Sequence, residues 1–545
     1  MKRDTTMKRD TTMKTMLFGA LPLAASLLVG TITAGEPDLK PAWPQSNGPF
    51  GNFNPRQYGC KLVDDLKQVK SVWTSEENDL GYGKTGSSGF IGNRAGWPGH
   101  PGAANGLIAA EGMIFAASFR PAGEVWANGT RGGVDLSKFT PEQQERLKRA
   151  LSIDADDFVV AIDQATGKTV WKMVEEKKGL FRGMGKRGGW SVSPAYYAGK
   201  VFTMGTTGLL YCYDSKTGKK VWESDIGKTH QQWEGDKKKC LEKKELAPSG
   251  QQVSLVIADG VLIVPLYDDL DMSIGGVDVQ TGKMLWQVEK ATAETATPAL
   301  WRHEGHEYVL VATRGSDAKN EAKMRLIAPK DGKILWTVEG LAHTQFSLAP
   351  SEKSVMVNVG SKKESCFKGL NWMLLGCYQL SLDGAKLLWT MPDEVESYYE
   401  PVAEASEWRK YLINDGKVYY NSFTPKDPNT QFVFSIFDEA TGKILGRMKE
   451  EKNGIPFMTM SYLLEDRMLT TPDASHSNTT NSRIPFRFWT TDPKDIRAIS
   501  AEWKAPHPST GGYNVFMEFP YVDGRIYMRA KDGTVRCYDL RAEAK

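Results

Sequence analysis

The sequence is poor in the residue groupings that most enzyme chemistry needs. Its six cysteines, Cys60, Cys212, Cys240, Cys366, Cys377 and Cys537, include no adjacent pair and no Cys-x-x-Cys-His, which excludes a covalently attached c-type haem. Seven histidines without a His-x-x-x-His spacing leave no zinc-helix motif, and neither a Gly-x-Ser-x-Gly elbow nor a catalytic-cysteine signature occurs. Long apolar runs are also missing. Met16–Gly30 is too short to span a bilayer and nothing longer follows it, so no transmembrane segment is expected once it is removed.

That short run is read as part of a secretory signal. Met1-Lys-Arg-Asp-Thr-Thr is repeated from Met7, so Met1, Met7 and Met13 compete as start sites. Lys14 leads the apolar stretch, and the small residues Thr33, Ala34 and Gly35 follow it, which is the pattern of a signal peptide over residues 1–34 and of a periplasmic or secreted protein. No cysteine follows until Cys60, so no lipid anchor is expected. Removing residues 1–34 takes away five basic and two acidic residues and leaves 64 of each. A net charge of zero gives no electrostatic reason to bind nucleic acid or anionic lipid. With 40% hydrophobic and 25% charged residues, the chain is globular.

What the sequence does have is a repeat. Val159 to Trp171 reads Val-Val-Ala-Ile-Asp-Gln-Ala-Thr-Gly-Lys-Thr-Val-Trp, and Asp214 to Trp222 and Asp278 to Trp286 restate its second half. The glycine accepts the positive φ of a tight turn, the aspartate accepts amide hydrogen bonds, and the tryptophan carries a large ring onto the next strand. Its position recurs at Trp171, Trp222, Trp286, Trp336, Trp389, Gly446 and Trp503, the copy at Gly446 having lost its ring. Each copy begins with a second signal, a glycine hairpin such as Glu111-Gly112, Ala198-Gly199, Asp259-Gly260, Asp415-Gly416 or Asp523-Gly524, with weaker ones at Glu304-Gly305, Ser351-Glu352 and Glu465-Asp466. The last copy ends at Lys545 before its tryptophan strand, while Val72-Trp73 is such a strand without a beginning. An all-β, eight-bladed β-propeller of four-stranded antiparallel blades follows, with the N-terminal strand closing the last blade.

Residues 35–545 are therefore read as the propeller. Residues 35–70 form a Pro-, Gly- and Asn-rich extended lead-in, and residues 121–157 an insertion with a helix start at Thr140-Pro141. Further insertions are placed at about 228–249, 361–375 and 471–484. Cys212 and Cys537, in matching Tyr-Cys-Tyr-Asp and Arg-Cys-Tyr-Asp contexts, are expected to be buried strand residues, and Cys366 and Cys377 to pair across an inserted loop.

The repeat Ala161-Ile-Asp163-x-x-Thr166-Gly167-Lys168-x-x-Trp171 resembles the tryptophan-docking repeat of the quinoprotein family of PQQ-like β-propellers. The lead-in Trp43-Pro44-x-x-x-Gly48-Pro49 and Gly189-Trp190-Ser-Val-Ser-Pro194 are similar to those of exported bacterial members. That family includes dehydrogenases, non-enzymatic assembly factors of the outer membrane and many proteins without an assigned role. The resemblance admits pyrroloquinoline quinone with calcium as a cofactor. However, the adjacent cysteines that family dehydrogenases carry are missing, and neither Asp154, Asp156 and Asp157 nor Asp268, Asp269 and Asp271 has the spacing of a calcium loop. No catalytic or metal-ligating residue is assigned.

Ligands are expected at the channel mouth, where the innermost strands begin. Trp190, His343, Gln345, Glu400, Tyr513 and Asn514 are the ligand-binding candidates there, an aromatic ring among polar groups that suits a small planar or sugar-like molecule. The alternative for each is a side chain satisfied by its neighbours. The reading is a monomeric, exported, non-catalytic binding or scaffold propeller for a protein partner or a small-molecule or carbohydrate ligand. Its alternatives are a quinone-dependent dehydrogenase in which Trp190 stacks on the cofactor, and a carbohydrate-active enzyme.

Overall fold

Alternating strands bounded by glycine turns fold locally into hairpins, and here each hairpin becomes the inner half of a blade. The computed structural model describes residues 43–80, 106–125, 140–141, 152–180, 192–226, 253–266, 271–293, 296–315, 321–342, 344, 346–362, 372–392, 411–426, 429–451, 461–470, 486–501, 503, 519–529 and 533–542, all within the unit Lys40–Lys545. These residues build eight antiparallel sheets arranged as an eight-bladed β-propeller. The signal reading over residues 1–34 lies outside them.

Blade 1 comprises Ile108–Ala110, Met113–Val125, Ser152–Asp163 and Thr169–Leu180, paired in that order. Blade 2 comprises Ala195–Tyr197, Lys200–Met204, Leu210–Asp214 and Lys220–Ser224; blade 3, Val256–Ala258, Val261–Leu266, Asp271–Asp278 and Met284–Ala293. Blade 4 is Ala299–His303, His306–Ala312, Ala322–Ile327 and Ile334–Leu341, and blade 6 is Tyr411–Asn414, Lys417–Lys426, Asn429–Asp438 and Ile444–Glu451. The first strands of blades 1 and 3 are buried throughout and the fourth strand of blade 2 is largely exposed, so the sheets run from the ring's interior outward. Of the segment read as an insertion, 121–125 and 152–157 continue the paired hairpin of blade 1.

Blades 5 and 7 depart from the pattern. Blade 5 has three strands, Ser354–Lys362, Trp372–Leu380 and Ala385–Thr390. Where an inner strand would pair, the Tyr411 hydroxyl of blade 6 donates to the Met356 carbonyl at 2.7 Å and accepts from the Ala349 amide at 3.1 Å. Blade 7 holds Ser461–Leu464, Arg467–Thr470 and Arg487–Thr490, its outer edge extended by single bridges Trp489–Ala498 and Phe486–Trp503. Blade 8 joins the two ends of the chain: Lys70–Thr74 pairs with Val535–Asp539, outside Arg525–Arg529 and Tyr521–Val522, and Trp73 lies opposite Cys537. The closing strand is thus the one expected, and it removes the open edge.

The repeated turn has one geometry. In blade 1 the Asp163 carboxylate accepts from the Thr166 amide at 2.8 Å and its hydroxyl at 2.7 Å, and Gly167 holds φ +76°. Asp214, Asp278 and Asp438 do the same, and these hydrogen bonds hold the carboxyls of all three below the usual carboxylate range.

At five of the eight seams the tryptophan of one blade docks on the turn glycine of the next. A Cβ on Gly167, Gly218, Gly282, Gly332 or Gly442 would lie 2.5–2.7 Å from the rings of Trp73, Trp171, Trp222, Trp286 or Trp389 respectively. The indole N–H of Trp171 donates to the Ser215 carbonyl at 2.8 Å and that of Trp286 to Pro329 at 2.7 Å. The repeat's spacing therefore encodes contact between blades. Opposite most of the tryptophans stands a small residue: Ala161, Cys212, Gly276, Cys377 and Cys537.

That register corrects two expectations. Cys377 does not pair with Cys366: it is a free, buried thiol in the strand position that Cys212 and Cys537 also fill, its Sγ 3.7 Å from the Glu439 carbonyl. Trp503 is not the seventh docking tryptophan. The Thr490 amide closes its turn by donating to the Arg497 carbonyl, as the Asp163 amide donates to that of Lys168, which puts Ser500 at the docking position and Trp503 three residues beyond. Trp503 instead meets Tyr538 of blade 8 edge-on at 5.2 Å. The ring missing at Gly446 also has a cause: a Cβ there would overlap the Pro493 carbonyl oxygen of blade 7.

Candidate functional site: a belt and a polar cleft

Trp190, His343, Gln345, Glu400, Tyr513 and Asn514 all lie outside the described residues. The opposite end of the ring, where the first and second strands of each blade turn, is well described, and it carries a feature that the sequence reading did not foresee.

The lead-in travels around that end and touches the eight blades in order. Trp43 exchanges amide hydrogen bonds with Ala109 of blade 1, and the Pro44 carbonyl accepts from Tyr196 of blade 2. Gln45 Oε1 accepts from Ile257 of blade 3, and Asn47 Nδ2 donates to Pro298 beside blade 4. Asn52 Nδ2 reaches Pro350 ahead of blade 5, Asn54 Nδ2 reaches Ile413 of blade 6, and Gln57 Nε2 reaches Leu463 of blade 7. Leu62 bridges to Arg541 after blade 8. Strand ends leave amides and carbonyls unpaired, and the asparagine and glutamine side chains supply the missing partners. Trp43, Asn47 and Phe53 are fully buried, so the belt is part of the core. The clue in the sequence was an amide side chain every few residues in a segment too rich in Pro and Gly to form a strand of its own.

Between belt residues 50–57 and the turns of blades 4, 5 and 6 lies a cleft of about 630 Å³, within the usual range for small-ligand sites. Arg56, Arg302 and Lys353 line it together with Glu352, Asp415 and Glu439, three charges of each sign. Arg302 pairs with Glu307 at 2.6 Å and lies 5.2 Å over the Phe50 ring, Glu439 accepts from the Ser354 hydroxyl at 2.7 Å, and Asp415 pairs with Lys417 at 3.3 Å. Asn54 lines the same cleft, buried, with its Oδ1 lacking any donor. A balanced, amide-rich lining, in which the Ser351 hydroxyl also donates to the Glu439 carboxylate, suits a neutral or zwitterionic polar group that can donate to Asn54.

One buried carboxyl stands apart from the cleft. Asp157 lies in the seam between blades 1 and 2, where Oδ1 accepts from the Thr206 amide at 3.2 Å and hydroxyl at 3.1 Å while Oδ2 has no partner. Burial, with smaller contributions from Glu175 and Asp156, pushes its pKa up to about 7. Asp156 turns elsewhere, to Arg120 at 3.0 Å and the Lys177 amide at 2.9 Å, so the acidic cluster does not converge.

Compared with known proteins, residues 155–367, well under half of the chain, match the family described as outer membrane protein assembly factor BamB. The chain is an eight-bladed β-propeller whose residues 155–367 match that family. No curated protein matches its sequence. Among solved structures, BamB from Moraxella catarrhalis is similar at 13% identity, over 72% of this chain and 94% of that one, with a TM-score of 0.42. Quinohemoprotein alcohol dehydrogenase from Comamonas testosteroni is similar at 13% identity, over 93% and 81%, with a TM-score of 0.48. A europium-containing methanol dehydrogenase follows at 11% identity, over 91% and 89%, with a TM-score of 0.47. None of these likenesses assigns a role to a residue of this propeller.

Dehydrogenases of this type raise the question of a quinone held beside a metal. Among the described residues no three His, Cys, Asp or Glu side chains are grouped to hold a metal ion, and Asp156 and Asp157 face separate partners. The described part of the propeller therefore does not build a calcium cradle, and no step through a quinone is derived.

Proposed function

We propose that the protein is an exported, non-catalytic binding propeller that holds a polar segment of a partner protein, or a small polar ligand, in the cleft between its belt and blades 4–6. The cleft carries this reading: it is concave, of ligand size, balanced in charge, and contains a buried amide oxygen in want of a donor. Export is supported by the signal pattern over residues 1–34. The family matched by residues 155–367 is described as an assembly factor, which fits a partner-binding role.

Photo-crosslinking residues placed at Gln57 and Lys353, both exposed at the cleft, and at exposed Val221 on the outer strand of blade 2 test the reading in intact cells of the native host. Adducts of one discrete mass at the first two positions and none at Val221 are expected. Equal capture at all three positions, or none at the cleft, overturns the proposal.

A further inference from the structure

Arg529 ends the second strand of blade 8 and is 1% exposed. Tyr527, two residues earlier and so on the same face of the strand, accepts from Gln164 of blade 1 at 3.0 Å. That face looks across the seam onto blade 1. Arg529 Nη2 accordingly donates to the Ala117 carbonyl of blade 1 at 2.6 Å, while Nε and Nη1 have no acceptor. On the blade 1 side, Ser118 lies on the face of Ile114 and Ala116, which pack with blade 8 residues in one core cluster. Its hydroxyl is also buried and unbonded.

No carboxylate among the described residues neutralises this guanidinium. Asp79 and Glu77, on the segment hydrogen-bonded alongside blade 8, spend their charges on Arg120 and Lys172 of blade 1, and Asp156 joins Arg120. The contrast with Arg467 is direct. That arginine is also buried, yet Asp466 pairs with it at 2.7 Å and the Val63 carbonyl takes a third N–H. Burial lowers the Arg529 pKa to about 9, which leaves it charged at neutral pH. An unpaired buried charge is among the costliest groups that a core can hold, and natural cores pair such groups.

We propose that the seam between blades 8 and 1 is an anion site, in which Arg529, with the Ser118 hydroxyl, takes a compact oxyanion: a carboxylate or a phosphate group. The site lies at the end of the blades away from the belt and does not depend on the cleft. A bulky anion is excluded, because neither side chain reaches the surface. The guanidinium supplies the charge and two N–H donors, and Ser118 supplies a third donor.

The test is thermal unfolding of the full chain against increasing inorganic phosphate or acetate, with ionic strength held constant by chloride. For the wild type, Tm is expected to rise by about 2 °C or more, in proportion to the logarithm of the concentration of one of the two anions once it exceeds Kd, as binding to the folded state requires. Whichever anion acts tells phosphoryl from carboxylate chemistry. Arg529→Met is expected to abolish the response, and Ser118→Ala to raise the Kd read by calorimetric titration about tenfold or more, the loss of one hydrogen bond to a charged acceptor. Should Arg529→Met fail to fold, the Ser118→Ala shift and calorimetric titration of the wild type with the same anion decide. A wild-type Tm that follows chloride alone overturns the proposal, as does an anion response that persists in Arg529→Met or is unchanged in Ser118→Ala.

Discussion

The contact between a docking tryptophan and the next blade's turn can be tested within one pair of residues, Trp171 and Gly218. Gly218 holds φ +71°, and a Cβ on it would lie 2.7 Å from the Trp171 ring. Gly218→Ala therefore meets two costs: about 1–2 kcal/mol for a left-handed alanine and about 1–3 kcal/mol for forcing the indole aside. Gly199 separates them, since it holds φ +78° with nothing within 4 Å of a Cβ, so Gly199→Ala meets only the first. Trp171→Ala empties a site that is 9% exposed and costs about 3–5 kcal/mol. The decisive variant is the double one. With the ring removed, Gly218→Ala should cost no more than Gly199→Ala, a coupling of about 1–3 kcal/mol. Urea and thermal unfolding midpoints of the four single and double variants measure it. If Gly218→Ala and Gly199→Ala are equally destabilising, or the double variant is the sum of its parts, the ring does not set the seam.

Other consequences follow from single residues. Restoring the repeat at its degenerate position should harm the protein: Gly446→Ala drives a Cβ into the Pro493 carbonyl oxygen, lowering stability by about 2 kcal/mol or more, and Gly446→Trp should prevent folding, both read by soluble yield and Tm. Asp157 has a folded pKa raised from 3.8 to about 7, so the native state holds a proton that the unfolded chain releases, and its contribution to stability falls as pH rises from about 4 through 7. Asp157→Asn should remove that decline, gaining on the order of 3 kcal/mol on the wild type between pH 5 and pH 8; identical pH dependence of the two midpoints would show that the carboxyl is not buried as described. Gln45→Ala deprives the buried Ile257 amide of its acceptor and should cost about 1–3 kcal/mol, a loss that chemical denaturation detects and that a loosely attached lead-in would not produce.

Much of this fold was legible because the repeat is made of local rules. A glycine hairpin ahead of an alternating strand, an aspartate four before the next glycine, and a tryptophan four after it each specify a turn or a contact whose partner lies at a fixed offset. That is why the eight blades and the closing strand at Trp73 could be placed from the sequence. The misreadings come from non-local register. The turn from Thr490 to Arg497 is two residues longer than that from Asp163 to Lys168, which puts the docking position at Ser500 and not at Trp503, and Cys377 belongs to a strand rather than to a loop end. The belt was readable only as an irregular segment, since its partners are spread from Ala109 to Arg541 and no sequence period links Gln45, Asn47, Asn52, Asn54 and Gln57 to them. Arg529 gave no signal at all: its isolation depends on which neighbours Asp79, Glu77 and Asp156 choose.

The central functional claim is that this ring works by binding and not by quinone chemistry. It is tested most directly by adding pyrroloquinoline quinone and calcium to the purified protein and following the quinone absorbance together with reduction of an artificial electron acceptor by alcohols and sugars. The account predicts no bound quinone band and no cofactor-dependent turnover. A calcium-dependent band accompanied by acceptor reduction would contradict it.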